Sequence, residues 1–135
     1  MNVKQIQEMI DASPFGKFSG YHVESACLEE KKLVMTMPLR AEFERLPGSG
    51  QIHGGPIAAL IDSAGCYALI MILGAALPTI SFSTEYLRPA MNTVLTATAT
   101  VRKLGRSISV VDIEVTGTDD RLIAIGRGIY STVVS

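Results

Sequence analysis

Residues 53–62 read His-Gly-Gly-Pro-Ile-Ala-Ala-Leu-Ile-Asp. Two consecutive glycines, Gly54 and Gly55, open a long apolar run, and one carboxylate, Asp62, follows within it. The N–H groups of a helix's first turn have no intrahelical partner, and the helix dipole favours negative charge there. Glycines at that point leave a bare surface able to hold an anion. A lone carboxylate in an apolar helix is costly unless it is paired or does chemistry. Together these residues make an oxyanion site and a reacting carboxylate, the minimum for acyl transfer. At a rise of about 1.5 Å per residue the two groups stand about 12 Å apart along one helix, too far to meet at one carbonyl. A two-fold dimer, with Gly54 from one chain and Asp62 from the other, removes the difficulty. The spacing therefore predicts an obligate homodimer with two equivalent sites.

Each of these residues also has a plain structural use. Asp62 can bond a hydroxyl or a backbone N–H inside the fold, and paired glycines allow close packing. His53 has no acidic partner nearby in sequence and reads as a hydrogen-bonder that shapes the loop. The only other histidine is His22, without ligand spacing, so no metal site is expected. Cys66 lies inside the apolar run, where burial raises a thiol's pKa and keeps it inert. Arg102, Lys103, Arg106 and Arg127 are either solvated strand and hairpin charges or phosphate contacts. Ser81, Ser83 and Thr84 read as one polar strand face.

The elements that must position these groups follow from periodicity. Val3, Ile6, Met9 and Ile10 recur at helical spacing and predict a short amphipathic helix over 2–12, ended by Ser13-Pro14. A loop is expected over 15–21. Strands are expected over 23–28 and 32–37, turning at Glu29-Glu30-Lys31. Residues 42–45 suggest one helical turn, and Pro47-Gly48-Ser49-Gly50 is a loop. The long helix runs over 55–74, apolar on every side and so expected to be buried all round. Period-two patterns rich in β-branched residues then predict strands over 79–88, 94–103, 107–116 and 122–133, joined by short connections as a four-strand antiparallel meander. A single long apolar helix needs a sheet to wrap it.

The chain has 135 residues with 47% hydrophobic composition and a formal net charge of −1, and so reads as one domain, 1–135, with no signature of disorder. The mean hydropathy of +0.31 suggests that some apolar surface is covered by another subunit. No basic run points to nucleic acid. Cys27 and Cys66, without a CxxC, read as reduced thiols of a cytoplasmic protein. The start of the chain carries Lys4, Glu8 and Asp11 and lacks the apolar core of a secretion signal. The greasiest run, 64–78, is shorter than the roughly 18–20 residues that span a bilayer, so no membrane span is expected.

The layout, an α+β chain whose long helix is enclosed by a curved antiparallel sheet of five to six strands with a short helix ahead of it, resembles the hotdog fold. The His53-Gly54-Gly55 segment followed by Asp62 resembles the signature of hotdog acyl-CoA thioesterases of the phenylacetate-pathway (PaaI-like) branch, relatives of 4-hydroxybenzoyl-CoA thioesterase. The likeness covers roughly 15–133 and includes Tyr86-Leu87-Arg88-Pro89-Ala90 and Val101-Arg102-Lys103-Leu104-Gly105-Arg106-Ser107. The resemblance implies that Gly54 donates its N–H to the thioester oxygen, that Asp62 acts as nucleophile or general base, and that Thr79 positions water. It further implies that His53, Gly55, Gln51, Arg106 and Ser107 contact substrate. Many relatives carry an Asn six residues before the histidine. Here that position is Pro47, which has no side-chain donor, and Ser49 and Gln51 are the nearest substitutes.

The function implied is hydrolysis of an acyl- or aryl-CoA thioester to free acid and coenzyme A. The site would lie at a homodimer interface, and the dimers would pair as a dimer of dimers. No cofactor is expected, coenzyme A being part of the substrate. The alternative is a non-catalytic acyl-CoA or lipid-binding module of the same fold. A hotdog dehydratase ranks lower, because it needs a catalytic His paired with a carboxylate and no such pair is present. The acyl pocket is expected to be apolar and lined by Leu60, Tyr67, Met71, Phe82 and residues of the first loop.

Overall fold

The computed structural model describes residues 1–133; residues 134–135, the end of the expected domain, lie outside them. Helix α1 spans Val3–Ala12 and is closed at its start by a capping box between Asn2 and Gln5. Ser13 ends α1 and caps the next helix, α2 (Pro14–Ser19), with Pro14 at its first position. The loop expected over 15–21 is therefore mostly helix. A proline that stops one helix can start another, since its missing N–H is one of the donors left unpaired at a helix start.

Strands β1 (His22–Cys27) and β2 (Lys32–Met37) form the expected hairpin, with Lys31 at φ 53° in the turn. A short 3-10 turn, Ala41–Phe43, stands where one helical turn was expected. Helix α3 (Gly54–Leu73) ends at Gly74, whose φ of 71° suits glycine. Strands β3 (Thr79–Tyr86), β4 (Leu95–Lys103), β5 (Ile108–Thr116) and β6 (Leu122–Ser131) follow.

The six strands form one sheet in the order β1-β2-β4-β5-β6-β3, with every neighbouring pair antiparallel. Only β4, β5 and β6 make a meander. The expected fourth member, β3, is not beside β4 but pairs with β6 at the far edge. Residues 87–94 between β3 and β4 explain the difference. They bond to the loop ahead of α3, through Ile52 N–H to Ala90 (2.9 Å) and Asn92 N–H to Gly50 (2.8 Å), and cannot close a hairpin.

Helix α3 lies against the concave face of the sheet. Its Leu60, Ile61, Ala64, Leu69 and Met71 are fully buried with Leu33, Met35, Ala97 and Ala99 of the strands. Burying each large side chain contributes roughly 1.5–3 kcal/mol, so this contact dominates the core. By length and composition α3, 20 residues at mean hydropathy 1.9, is able to cross a membrane. Here it is the core helix of the sheet. It is not buried all round, as its composition suggested: Ala58, Ala59, Asp62, Ser63 and Cys66 are only partly covered. The sheet wraps one side of the helix, and this face of small side chains is left over. The edge strand β3 is open too, with Ile80, Phe82 and Tyr86 exposed by 55%, 41% and 52%.

Candidate active site

The start of α3 is held by its own cap and by strand β3. His53, in extended backbone ahead of the helix, accepts the Gly55 N–H on Nδ1 at 3.1 Å. The loop-shaping role expected of His53 is thus a helix cap. The Tyr86 hydroxyl donates to the Gly54 carbonyl at 2.6 Å, and a Cβ on Gly54 would stand 3.2 Å from the tyrosine. With Gly55 capped and the Gly54 carbonyl fixed, the Gly54 N–H is the first donor of the helix and has no intrahelical partner. A cavity of about 400 Å³ opens on it, lined also by Arg45, Gln51, His53, Tyr86 and Arg88.

Asp62 is anchored at two points. The Thr79 hydroxyl, opening β3, donates to Asp62 Oδ1 at 2.7 Å. The Tyr130 hydroxyl, from β6, donates to the Asp62 backbone carbonyl at 2.8 Å. Tyr130 is fully buried and fits only because two glycines face it: a Cβ on Gly65 would lie 2.1 Å from its oxygen, and one on Gly128 2.3 Å. Burial, with smaller contributions from the charges of Asp62 and Cys66, holds its phenol far above the ordinary range, so it stays a neutral donor. Tyr130 was not singled out in the sequence. The signal for it is the pair Gly65 and Gly128, glycines inside a helix and a strand where they otherwise weaken both.

The structure thus brings Asp62 and Thr79 together, and separately Gly54, Gly55, His53 and Gln51. The two groups sit at opposite ends of β3. Near Pro47, the Ser49 hydroxyl accepts the Gln51 N–H at 3.2 Å, and of the two residues only Gln51 lines the Gly54 cavity. Arg106 and Ser107 lie in the β4–β5 turn. Ile108 pairs with Ser131, whose N–H reaches the Pro78 carbonyl at 3.0 Å, so this turn stands at the Thr79 end of the sheet, away from Gly54.

Arg102 and Arg127 are both spent on Asp112, at 3.0 and 2.6 Å, rather than free for phosphate. The Cys66 thiol donates to the Leu77 carbonyl at 3.4 Å, and burial pushes its pKa up. Among the described residues no three His, Cys, Asp or Glu side chains cluster as a metal would need. The expected acyl pocket is corrected in part: Leu60 and Met71 are fully buried in the core, and Phe82 lies exposed on the edge strand. Tyr67 alone of the four lines a cavity beside Asp62.

Residues 49–124 match the model of the Thioesterase superfamily. Acyl-coenzyme A thioesterase PaaI of Escherichia coli is 33% identical over 107 residues, covering 78% of this chain and 74% of the relative. The solved E. coli PaaI protein, from the phenylacetic acid degradation operon, superposes with a TM-score of 0.84 at 28% identity, covering 100% of this chain and 98% of that one. Zebrafish thioesterase superfamily member 2 superposes with a TM-score of 0.86 at 25% identity, covering 98% of this chain and 99% of that one. A helix-wrapping sheet of this topology, carrying a capped glycine donor and a hydroxyl-bound carboxylate on one helix, belongs with them: the chain is a member of the thioesterase superfamily, a PaaI-like hotdog thioester hydrolase.

Proposed function

We propose that the protein is a cytoplasmic acyl-CoA thioesterase that hydrolyses an acyl- or aryl-CoA to the free acid and coenzyme A, at two equivalent sites shared across a homodimer. One observation carries this: Gly54 and Asp62 are tied to opposite ends of one open edge strand, by Tyr86 at 2.6 Å and by Thr79 at 2.7 Å. Antiparallel pairing of two copies of β3 about a two-fold between Phe82 and Ser83 would set Thr79 opposite Tyr86 of the partner subunit. The Asp62 half of one subunit would then face the Gly54 half of the other. The same pairing would cover the exposed Ile80 and Phe82 and satisfy the strand's free edge. It would also bring the Arg106–Ser107 turn of one subunit to the substrate bound at Gly54 of the other, in keeping with a coenzyme A contact. A dimer of dimers is the assembly we expect in solution.

In this reading the Gly54 N–H holds the thioester oxygen as it gains negative charge. A well-placed donor of this kind is worth roughly 3–4 kcal/mol. The Thr79 hydroxyl occupies one oxygen of Asp62 and leaves the other for the carbonyl carbon, directly or through a water. By either route the C–S bond breaks, and water supplies hydroxyl to the acyl carbon and a proton to sulfur. Gln51 and His53 shape the cavity around the donor, and Gly55 is held beside it by the His53 cap. The test is free thiol release over a panel of acyl- and aryl-CoAs with wild type and Asp62→Ala. Turnover by wild type that falls at least a hundredfold in the variant, as general-base losses of roughly 10²–10⁴ imply, supports the reading. Undiminished turnover in Asp62→Ala removes the role of Asp62. Tight binding without turnover across the whole panel favours the binding module.

A further inference from the structure

We infer that the acyl group lodges in the cavity between α1 and the second half of α3, and that Met9 and Tyr67 set the length of chain accepted. This rests on the thioesterase function proposed above and specifies its substrate. The cavity has a volume of about 360 Å³ and begins at the reacting end, where Asp62 and Thr79 form part of its wall. The wall continues through Cys66, Tyr67 and Ile70 of α3, Ala76, and Met9 of α1. Ile70 lies eight residues beyond Asp62, so the cavity follows the helix for about 12 Å. The other apolar cavity near α3, about 120 Å³ under Gly55, Pro56 and Ala59, contains neither Asp62 nor Thr79.

The composition of the wall specifies the ligand. Asp62 is its one charged side chain, and its polar atoms are the hydroxyls of Ser13, Ser63, Tyr67 and Thr79. Burial pushes the Tyr67 phenol up, with the neighbouring Cys66 adding to it, so that group stays neutral. An acyl group ending in a carboxylate would be desolvated and would meet a like charge from Asp62. An uncharged apolar chain of medium length suffers neither cost and gains the burial of each methylene.

Met9 and Tyr67 both line this space, from separate helices. The position of Met9 is defined by the docking of α1: Ile6 and Ile10 are fully buried, and the Gln7 side chain bonds the Tyr21 carbonyl at 3.0 Å and the Val23 N–H at 2.8 Å. Met9 itself is only half-buried. An unbranched thioether in that position fills a gap without blocking it, so its size limits the far wall.

The experiment measures kcat/KM for straight-chain acyl-CoAs from acetyl to palmitoyl, and for succinyl-CoA, with wild type, Met9→Ala and Met9→Phe. Wild type should prefer a medium-length chain and reject succinyl-CoA. The ratio of rates for dodecanoyl- to hexanoyl-CoA should rise about tenfold or more in Met9→Ala and fall by a similar factor in Met9→Phe, since pocket contacts worth one methylene discriminate by at least that much. Tyr67→Ala should shift the preference in the same direction as Met9→Ala. Profiles of both Met9 variants that superpose on wild type overturn the assignment. A series of alkyl-CoA thioethers, read by calorimetry, carries the same comparison without turnover. Chain-length shifts in binding with no hydrolysis would keep the cavity and discard the enzyme. Hydrolysis with no shift in either series would discard the cavity and keep the enzyme.

Discussion

Thr79 and Asp62, seventeen residues apart in sequence, share a hydrogen bond of 2.7 Å that joins the first residue of the edge strand to the middle of the core helix. The donor is a neutral hydroxyl and the acceptor a carboxylate oxygen, a charge-assisted pair worth roughly 1.5–3 kcal/mol when its geometry is held. Among the described residues no other hydrogen bond reaches the carboxylate. Thr79→Ala should therefore lower kcat by roughly tenfold to a hundredfold with little change in KM, because the bond orients a reacting group rather than binding substrate. Thr79→Ser keeps the hydroxyl and should recover most of the rate. Steady-state kinetics of the three proteins on one substrate decide it; equal losses in the Ala and Ser variants would show that the methyl, not the hydroxyl, matters.

The second anchor of Asp62 is the Tyr130 hydroxyl on its backbone carbonyl, admitted by the absence of a side chain at Gly65. A Cβ at Gly65 would lie 2.1 Å from that oxygen, so the phenol and the helix cannot both keep their places. Overpacking of this kind typically costs 1–3 kcal/mol, and Gly65→Ala should lose about that much in denaturant unfolding. Tyr130→Phe removes the clashing oxygen. In the double variant the alanine should cost clearly less than it does alone, a coupling that a double-mutant cycle measures directly. Strict additivity would mean that the clash is relieved elsewhere.

The outer face of the sheet has its own pH dependence. The Arg127 guanidinium, bonded to Asp112 at 2.6 Å, holds the Asp112 carboxyl below the usual carboxylate range, with Arg102 assisting at 3.0 Å. A carboxyl lowered on folding contributes stability above its unfolded pKa and loses it as pH falls through the folded value. Both arginines are more than half exposed, so solvent screening keeps the contribution small. Asp112→Asn should melt below wild type at pH 7, and the gap should close only as pH falls through the lowered pKa of the folded Asp112, below which both proteins carry a neutral side chain there. A gap that is constant across that range would assign the loss to packing.

What the sequence disclosed and what it hid divide along physical lines. Helix α3 was legible because its signals are local: glycines at the start, a long apolar run and Gly74 at the end. Family likeness pointed to Thr79 only as a residue that positions water; its bond to Asp62 was not legible, since no local pattern links the two. The position of β3 was not legible. Period-two alternation says that residues 79–86 form a strand, but not which neighbour they take, and the bonds from 87–94 to the loop ahead of α3 decide that. Exposure of one face of α3 was hidden for a similar reason. Ala58, Ala59 and Cys66 count as apolar in any pattern, whether they meet a sheet of the same chain or another molecule.

The division of the site between two ends of β3 yields the sharpest test of all. Gly54 stands at the first position of α3, where proline is tolerated and carries no N–H. His53 ahead of it already has extended backbone, φ −62° and ψ 150°, as a residue before proline prefers. Gly54→Pro should therefore delete the oxyanion donor while leaving the helix in place, lowering kcat/KM by roughly 10²–10³-fold. Asp62→Ala deletes the carboxylate. With the site shared as proposed, each variant alone would give dimers in which both sites lack one group. Mixed and allowed to exchange subunits, half of the dimers become heterodimers, each with one site that has both groups and one that has neither. Activity should rise from near zero in the separate variants to about a quarter of wild type in the mixture, as random exchange in a two-fold dimer requires. Size-exclusion chromatography of the same samples checks that both variants remain dimeric. If sites were built within single chains, mixing would restore nothing, and the shared site would be lost as an explanation.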